Sequence, residues 1–595
     1  MRLALNRGRA EARPRGRLIL LLLGWSALAV ALVGVIWVMV TALLARSQLN
    51  TVRSELPKLR AALTAGDMGA ARSLAANITT HAARAHELST GPAWWVSANL
   101  PVLGTPLHTA RVIAEQADGV GTNVLPGVIK LAQDVADMPH LRNSTIDLGR
   151  LAAAAPGLHS AAAAAHEAAQ TVSATAGSWL GAVSSARNSV SDALTRLDAE
   201  LSGADRTVQV LLPMLGQSGQ QRYFIGFMNE AESRGLGGIP GAFAIVTADH
   251  GKITFTHFGS DDELHGVRAK VDLGSEFDAR YKQDDPTGVI QNSNLSPDFS
   301  YAARIWAGMW QAKTGQQING ALAVDPTALS YLLKVTGPAT LPDGTRLDAA
   351  DVVALTQQKQ YKMFSSESAA DKEARKAYLA TLAKAAADKI AHGGNGTAMV
   401  RALSHAARER RLVVWSADPT VEKLIVEGGW AGVLDAGGGP FSGFVVNNAA
   451  GSKLDYYLDR TMTYTRSGCG ANSTSVATFT VTNSAPSTGL PRYVTIRADT
   501  PPKGAEPGDN RLLVTYYGSA GATVRSVAID GKAVTLASIQ ENGLVTVTAD
   551  LELPAGATRT VTVVTDDPAS TAPVTILRQP LVNPVTVSTH EQACT

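Results

Sequence analysis

Polar side chains follow the predicted strands of one region of this 595-residue sequence, at the points where loops commonly build sites. They form three groups along the chain: Asn229, Glu232 and Arg234; Ser260, Asp261 and Asp262; and Asn292, Asn294 and Asp298. An arginine such as Arg234 can donate a fork of hydrogen bonds to phosphate or carboxylate oxygens. Carboxylates are the ligands that a hard divalent cation such as Mg²⁺ prefers. The pattern predicts an anion-binding cleft whose catalytic candidates are Arg234, Asp261 and Asp262, with Glu232, Asp261 and Asp262 as metal ligands.

The same residues also have a structural interpretation. Asn and Asp side chains commonly cap helices and close turns, and Asn294 and Asp298 can organise a helix that starts at Pro297 with Ser296 as its cap. In the functional interpretation, four residues contact a ligand: Asn229, Glu232, Asn294 and Asp298. Both interpretations remain open at this point. The sequence contains no zinc-protease helix, nucleophile elbow or Walker loop.

Residues 211–468 predict an α/β domain with a mixed sheet that must position these groups. The predicted strands are 223–228, 242–247, 252–258, 318–324, 412–415, 444–447 and 453–465. A glycine-rich loop at 229–238 joins the first two strands, and Asp249-His250-Gly251 forms a hairpin turn before the third. Since that loop joins strand to strand, it supplies no helix N-terminus for a phosphate.

The N-terminus predicts a membrane anchor. Residues 1–17 hold six arginines and one acid, and residues 18–45 then run without a charge. A helix of that length is about 42 Å long, more than the ~30 Å hydrocarbon core requires. The arginines favour a cytoplasmic N-terminus, so the chain after residue 45 is expected outside the cytoplasmic membrane as a single-pass protein.

The two remaining regions differ in pattern. Residues 46–210 are rich in Ala, Leu and Ser at helical spacing and predict an all-helical stalk, either a spacer that self-associates or a bundle on the next domain. Residues 469–595 alternate Thr and Val and predict a β-sandwich. Cys469 and Cys594 delimit it, and outside the cytoplasm they can form a disulfide, with two free thiols as the alternative.

Composition narrows the function classes. Charged residues make up 17% of the chain and the net charge is +2, which argues against nucleic acid as a partner. Without residues 1–17, the chain holds 47 bases and 50 acids, so charge alone does not adapt it to an anionic polymer. Two cysteines are too few for a Cys-based zinc module or an iron–sulfur centre.

Several stretches resemble a known family. The run "RYFIGFMNEAESRGLGGIPGAFAIVTADHGKITFTHFGSDDEL" at 222–264, "NSNLSPDF" at 292–299, "INGALAVDPTALSYLLKVTGP" at 318–338 and "KLDYYLDRTMTYT" at 453–465 are similar to the domain-of-unknown-function 4012 family of bacterial envelope proteins. The resemblance implies a membrane anchor and a helical stalk, and no activity.

A weaker similarity, in the order of elements, is to the LytR–CpsA–Psr phosphotransferases, which move glycopolymers from polyprenyl pyrophosphate to the cell wall with magnesium. Arg234 stands where that family has an arginine before its second strand. After the third strand that family carries Pro-Arg-Asp, whereas this chain has Gly259-Ser260-Asp261-Asp262. The resemblance implies an LytR–CpsA–Psr-like fold.

Two function hypotheses follow. The first is an envelope-biogenesis protein that handles a polyprenyl-pyrophosphate-linked glycopolymer, with phosphotransferase-like activity. The second is a non-catalytic envelope scaffold or a module that binds a cell-wall polymer. A lipid-handling site requires a deep apolar tunnel beside Arg234, and a scaffold has a filled core there.

The anchor hypothesis predicts the side on which the C-terminus lies. A reporter enzyme fused after Thr595 should be active only outside the cytoplasm, because the arginine bias holds the N-terminus inside. Activity of paired periplasmic and cytoplasmic reporters measures this. Cytoplasmic activity would reverse the compartment assignment and remove the argument for a disulfide.

Overall fold

The computed structural model describes residues 15–102, 104–136, 145–366, 368–392, 396–435, 437–470 and 472–592. The chain divides into two compact units. The first comprises Met1–Met138 and Gly149–Val208, and the second comprises Pro139–Leu148 and Gln209–Thr595.

The first unit is helical. Its helices are α1 (Arg15–Ala65), α2 (Met68–Leu88), α3 (Pro92–Ala98), α4 (Thr105–Gly119), α5 (Leu125–Ala136), α6 (Leu148–Ala174) and α7 (Gly181–Met214), the last of which extends into the second unit. In α1, the stretch Trp25–Ala65 is long and apolar enough to cross a membrane. The residues 146–210, predicted as long helix, are interrupted at 175–180, where Gly177 and Ser178 lie.

Small alanine side chains on α2 allow α1 and α2 to pack closely. The buried side chains between them include Val52, Leu59, Ala71, Ile78 and Ala82. A short turn at residues 66–67 reverses the chain, and Asp67 caps α2 by accepting a hydrogen bond from the Ala70 amide. Since α2 returns along α1, its C-terminal end at Leu88 comes back to the level of the apolar part of α1.

The second unit begins with a region of mixed helices and strands. Its elements are β1 (Gln221–Arg234), β2 (Gly237–Asp249), β3 (Lys252–Ser260), α8 (Ser275–Tyr281), α9 (Phe299–Thr314), β4 (Gly320–Val324), α10 (Pro326–Thr336), β5 (Ala339–Thr340), β6 (Arg346–Leu347), α11 (Val352–Ala354), α12 (Gln360–Met363), α13 (Ala369–His392), α14 (Gly396–Arg408), β7 (Leu412–Ser416) and α15 (Pro419–Glu427). A π-helical turn, Leu355–Lys359, joins α11 to α12.

Five strands form a mixed central sheet in the order β3-β2-β1-β4-β7, in which only the β1–β4 pair is parallel. Its core is aromatic: Phe224 stacks on Phe243 with ring centroids 4.8 Å apart, and Trp306 of α9 lies 5.3 Å from Phe224. A Cβ at Gly226 would lie 2.7 Å from the Trp306 ring, so α9 packs this closely only because glycine stands there.

The glycine-rich segment differs from the prediction. Residues 229–234 continue β1 instead of forming a loop, and only Gly235 and Leu236 form the turn into β2. The ladder shifts register between Asn229 and Ser233, which leaves backbone donors without strand partners. Gly235 and Gly238 are required for close packing, because a Cβ at either position would overlap neighbouring backbone.

The C-terminal residues form two further mixed sheets. Their elements are β8 (Phe441–Asn448), β9 (Leu458–Ser467), β10 (Ser473–Asn483), α16 (Arg492–Thr495), β11 (Asn510–Ala520), β12 (Thr523–Ile529), β13 (Lys532–Val534), β14 (Ser538–Glu541), β15 (Leu544–Leu553), β16 (Thr558–Asp567), β17 (Thr575–Arg578) and β18 (Thr586–Glu591). The strand orders are β13-β12-β16-β10-β9-β18 and β14-β15-β11-β8-β17. One core joins the two sheets, with Phe444 of β8 stacked 4.9 Å from Phe479 of β10.

The Thr–Val alternation has a simple basis. On β10 and β16, threonine hydroxyls form cross-strand hydrogen bonds, such as Thr478 to Thr562 at 3.3 Å, while Val and Phe point into the core. The prediction placed strands 444–447 and 453–465 with the central sheet. The structure pairs them with β11 and β10 instead, because their apolar faces complete the C-terminal core. The domain limits themselves stay a prediction.

The disulfide also stays a prediction, because Cys594 lies outside the described residues. The strand pairing brings the chain near Cys469, since β18 runs parallel to β9. The Sγ of Cys469 lies 4.0 Å from the carbonyl oxygen of Gln592, two residues before Cys594.

Three charged side chains are buried together beside the central sheet. Nη1 of Arg411 donates to Oδ2 of Asp325 at 2.8 Å and to Oε1 of Glu230 at 3.1 Å. Asp325 also caps α10 by accepting from the Ala328 amide at 2.7 Å. Burial raises the pKa of Glu230 well above its usual value, and the charge of Asp325 raises it further. Glu230 therefore holds a proton to higher pH in the folded chain than in the unfolded chain.

Two conservative substitutions distinguish the roles of these carboxyls. Glu230→Gln should leave the free energy of unfolding nearly unchanged at low pH and raise it at pH 7, because glutamine reproduces the neutral form and does not have to take up a proton on folding. Asp325→Asn keeps the helix cap but removes the charge beside Arg411, and should cost about 3 kcal/mol. Denaturant titrations of the full chain measure both values.

The pH dependence has a defined sign. Since the pKa of Glu230 is raised by folding, its contribution to stability is present at low pH and is lost as pH rises through the folded value. Glu230→Gln should remove that loss. A variant that keeps the full pH dependence of the native chain would contradict the assignment of the proton to Glu230.

Candidate functional site

Arg234 lies at the end of β1, and the protein itself fills its hydrogen-bonding positions. Its guanidinium donates from Nε to the Gln291 carbonyl at 3.0 Å, from Nη1 to the Ser233 and Asn448 carbonyls at 3.0 Å each, and from Nη2 to Oδ1 of Asn292 at 3.2 Å. Burial lowers the pKa of this arginine, and nearby acids offset part of that effect. Arg234 ties the end of β1 to two neighbouring segments.

Asp261 and Asp262 follow β3 and pair with one lysine. Asp261 lies 3.8 Å from Nζ of Lys376 on α13, and Asp262 forms an ion pair with the same Nζ. Oδ2 of Asp261 accepts a hydrogen bond from the Gln291 side chain at 2.6 Å. Burial raises the pKa of Asp261, and the Gln291 bond and Lys376 counteract it. Gln291 thereby links Asp261 to Arg234, because the Gln291 side chain donates to Asp261 and the Gln291 carbonyl accepts from Nε of Arg234.

Asn229 and Glu232 lie on the bulged part of β1 and form a separate group. Oε1 of Glu232 accepts from Nδ2 of Asn229 at 3.0 Å and lies 3.2 Å from Nζ of Lys453. The same Asn229 amide donates to the Tyr361 hydroxyl at 3.0 Å. Of the three carboxylates that the sequence predicts as metal ligands, Asp261 and Asp262 thus lie at Lys376, and Glu232 lies at Lys453. Among the described residues, no group of three or more His, Cys, Asp or Glu is placed to hold a metal ion.

Asn294 and Asp298 are buried in the structural role that the sequence left open. Asp298, not Ser296, is the N-cap of α9, which begins at Phe299: its Oδ1 accepts from the Ser300 amide at 3.0 Å. Its Oδ2 accepts from the Leu434 amide. Asn294 is fully buried, and its Nδ2 donates to the Gly238 carbonyl at 2.6 Å. Whether any of these residues contacts a ligand stays a prediction.

The structure places four residues around Glu232 that the sequence did not single out as site candidates. Arg375 of α13 stacks on the Tyr493 ring, 3.7 Å from its centroid, and Nζ of Lys453 lies 4.4 Å from the same centroid. We call Glu232, Tyr361, Arg375, Lys453 and Tyr493 the Lys453 cluster. Arg375 is 4% exposed and Lys453 is 9% exposed, so both cations are held largely away from water.

The Lys453 cluster has one more buried cation than anion. Glu232 pairs with Lys453, while Nη1 of Arg375 has no hydrogen-bond partner among the described residues. Burial lowers the pKa of Lys453, but Glu232 and Tyr493 outweigh that effect and the pKa is raised overall. Lys453 therefore stays charged. A buried guanidinium N–H without a partner is costly unless an acceptor binds to it.

A shallow recess opens beside the cluster. Tyr361 and Lys453 belong both to its lining and to the cluster, and further lining comes from Gln357, Gln358, Tyr457 and Pro491. Gln357 and Gln358 lie on the π-helical turn that precedes α12, and such turns are frequent at functional sites. Lysine, glutamine and tyrosine side chains thus lie together around one small recess.

Two residues of the Lys453 cluster lie in stretches of the sequence that are rich in polar and aromatic residues. Lys453 opens the stretch "KLDYY", and Tyr361 ends the run "QQKQY". Arg375 and Tyr493 lie far from both in sequence, and no local pattern marks them. The cluster depends on contacts between segments that are distant along the chain.

The Arg234 geometry predicts a structural effect. Arg234→Met should lower the free energy of unfolding by about 3–5 kcal/mol, because three buried carbonyls and one amide lose a charged donor. The matched control is Arg222→Met at the start of the same strand, where the guanidinium makes one exposed bond to Gln317 and the cost should be small. Denaturation midpoints measure both. An unchanged midpoint for Arg234→Met would instead favour a ligand-binding role.

Comparison with known proteins gives one match. Residues 218–361 match a family described as a protein of unknown function, DUF4012, which confirms the resemblance seen in the sequence. The matched range contains β1 to α11 and the π-helical turn, and ends at Tyr361 of the cluster. No curated protein and no solved structure matches the chain.

Proposed function

Since residues 218–361 are a DUF4012 region and that family has no assigned function, we propose from the geometry that this chain is a membrane-anchored protein of the cell envelope that binds an acidic, sugar-containing polymer. The N-terminus lies in the cytoplasm and the bulk of the chain lies outside the cytoplasmic membrane, with a C-terminal β-sandwich for further contacts. The observation that carries the proposal is the buried Arg375, whose Nη1 has no hydrogen-bond partner among the described residues, beside Lys453 and two tyrosines.

The side chains around the recess support specific binding of an acidic polymer, whereas the overall charge of the chain does not. The chain beyond residue 17 has a net charge of −3, so it does not attract polyanions in general. A local excess of one cation selects a carboxylate or phosphate. The adjacent tyrosine and glutamine side chains supply apolar faces and hydrogen bonds, which a sugar ring requires.

The geometry gives less support to transfer from polyprenyl pyrophosphate. That activity requires an arginine free to bind the pyrophosphate, and Arg234 donates instead to Gln291, Ser233, Asn448 and Asn292. That activity also requires carboxylates that hold a metal cation. In this chain, Lys376 pairs with Asp262 and Lys453 pairs with Glu232. An LytR–CpsA–Psr-like fold and its chemistry are therefore the second candidate.

Binding of three polymers to the full chain in lipid nanodiscs tests the proposal. The probes are polygalacturonate, which is an acidic sugar polymer, dextran, which is a neutral one, and polyglutamate, which is acidic without sugar. We expect polygalacturonate to bind most tightly, because only it has both features. Arg375→Met removes the excess buried cation and leaves the Glu232–Lys453 ion pair intact, and should weaken binding at least about tenfold.

The control is Lys423→Met, which removes a lysine that is 76% exposed on α15. It should leave binding unchanged. Equal affinity for dextran and polygalacturonate, or equal affinity of Arg375→Met and the native chain, would contradict the proposal. Binding of magnesium pyrophosphate that Arg234→Lys abolishes without a change in unfolding midpoint would favour the transfer hypothesis.

A further inference from the structure

Two turns of the first unit are free of charge over unusual lengths. No Asp, Glu, Lys, Arg or His occurs between Glu87 and His108, or between Glu167 and Arg187. The first segment contains the end of α2, all of α3 and the start of α4, and the second contains the α6–α7 turn. Exposed turns in water are normally polar, so this pattern requires a physical reason.

The first of these segments packs on the apolar part of α1. Trp94 of α3 is buried, and its indole Nε1 donates to the Thr41 hydroxyl at 2.8 Å. Val38, Thr41 and Ala45 are each about 5% exposed, whereas Trp37 and Met39 are 61% exposed. One face of α1 is therefore covered by protein from Val38 onward, inside the stretch that the sequence alone assigns to the membrane.

This contact explains the surplus length of the apolar segment. Residues 18–37 form 20 residues of helix, which span about 30 Å and match the hydrocarbon core. The remaining apolar residues, 38–45, lie at the level of α3. The outer boundary of the hydrocarbon then falls near Trp37, beside the two uncharged turns.

Six large apolar side chains on these turns are exposed. Their exposed fractions are 61% for Trp95, 56% for Val96, 48% for Leu100, 74% for Val102, 60% for Trp179 and 43% for Leu180. We call this set the apolar rim. Its two parts are joined, because Nε1 of Trp179 donates to the Val102 carbonyl at 2.8 Å and the Thr109 hydroxyl donates to the Ala176 carbonyl.

We propose that the apolar rim inserts into the outer interface of the lipid bilayer around α1. Tryptophan suits this position, because its ring is apolar and its N–H remains near the headgroups. The proposal rests on the membrane anchoring proposed above. It adds a second membrane contact, which sets the depth and tilt of the helical unit, so that α1 is not a flexible tether.

Fluorescence quenching by brominated lipids tests the insertion. The full chain is reconstituted in vesicles whose lipids carry bromine near the headgroup end or near the tail end of the acyl chains. We expect Trp95→Phe and Trp179→Phe each to remove emission that shallow bromines quench more strongly than deep ones. Trp430→Phe, in the second unit, is the control and should remove only unquenched emission.

The outcomes separate this inference from the anchoring itself. If Trp95→Phe and Trp179→Phe leave the quenched emission unchanged while quenching from Trp25 and Trp37 persists, the chain is anchored and the rim does not enter lipid. That result overturns the inference and leaves the rim available to a protein partner. If no emission is quenched at all, the anchoring proposal fails as well.

Discussion

The second half of β1, residues 229–234, carries polar side chains and backbone donors outside the strand ladder into the protein interior, and other segments form hydrogen bonds with most of them. The Ala231 amide donates to Gln357 on the π-helical turn, and the Ser233 amide donates to Asp455. The Arg234 carbonyl accepts from Gln579, and Glu230 bonds to Arg411. A buried donor without a hydrogen-bond partner lowers the free energy of unfolding by about as much as one hydrogen bond contributes. This one strand therefore fixes the positions of segments that are hundreds of residues apart.

Local patterns predicted much of the fold. The Thr–Val alternation identified the C-terminal strands, and the Ser296-Pro297 pair identified the start of α9 to within two residues. The end of β1 was mistaken for a loop, because Asn229 to Arg234 lack an alternating apolar face and glycines follow them. The partners of β8 and β9 were also misassigned. Strand pairing here is non-local, and the chain between the partners carries no signal of it.

The candidate site illustrates the same limit. Sequence reasoning found the acids and Arg234, since polar residues after strands are visible locally. Their partners decide what they do, and Lys376, Arg375 and Tyr493 come from segments with no motif. The hydrogen bonds of Arg234 hold the end of β1 in place, whereas Nη1 of Arg375 on α13 has no hydrogen-bond partner among the described residues. Residues that bond to the protein interior and residues that contact the Lys453 cluster thus lie on the same strand, and only the contacts between segments distinguish them.

The parallel pairing of β17 with β8 and of β18 with β9 has a consequence for the order of synthesis. Thr575 pairs with Phe441, and Thr586 pairs with Thr461, so each sheet has an edge that is made much later than the strand beside it. Neither edge can be covered while the intervening chain is still emerging. Until then β8 and β9 expose open hydrogen-bonding groups, which favour pairing with other chains. Both sheets are therefore complete only after β17 and β18 have been synthesised. Until then, the open edges of β8 and β9 have to be kept from pairing with other chains.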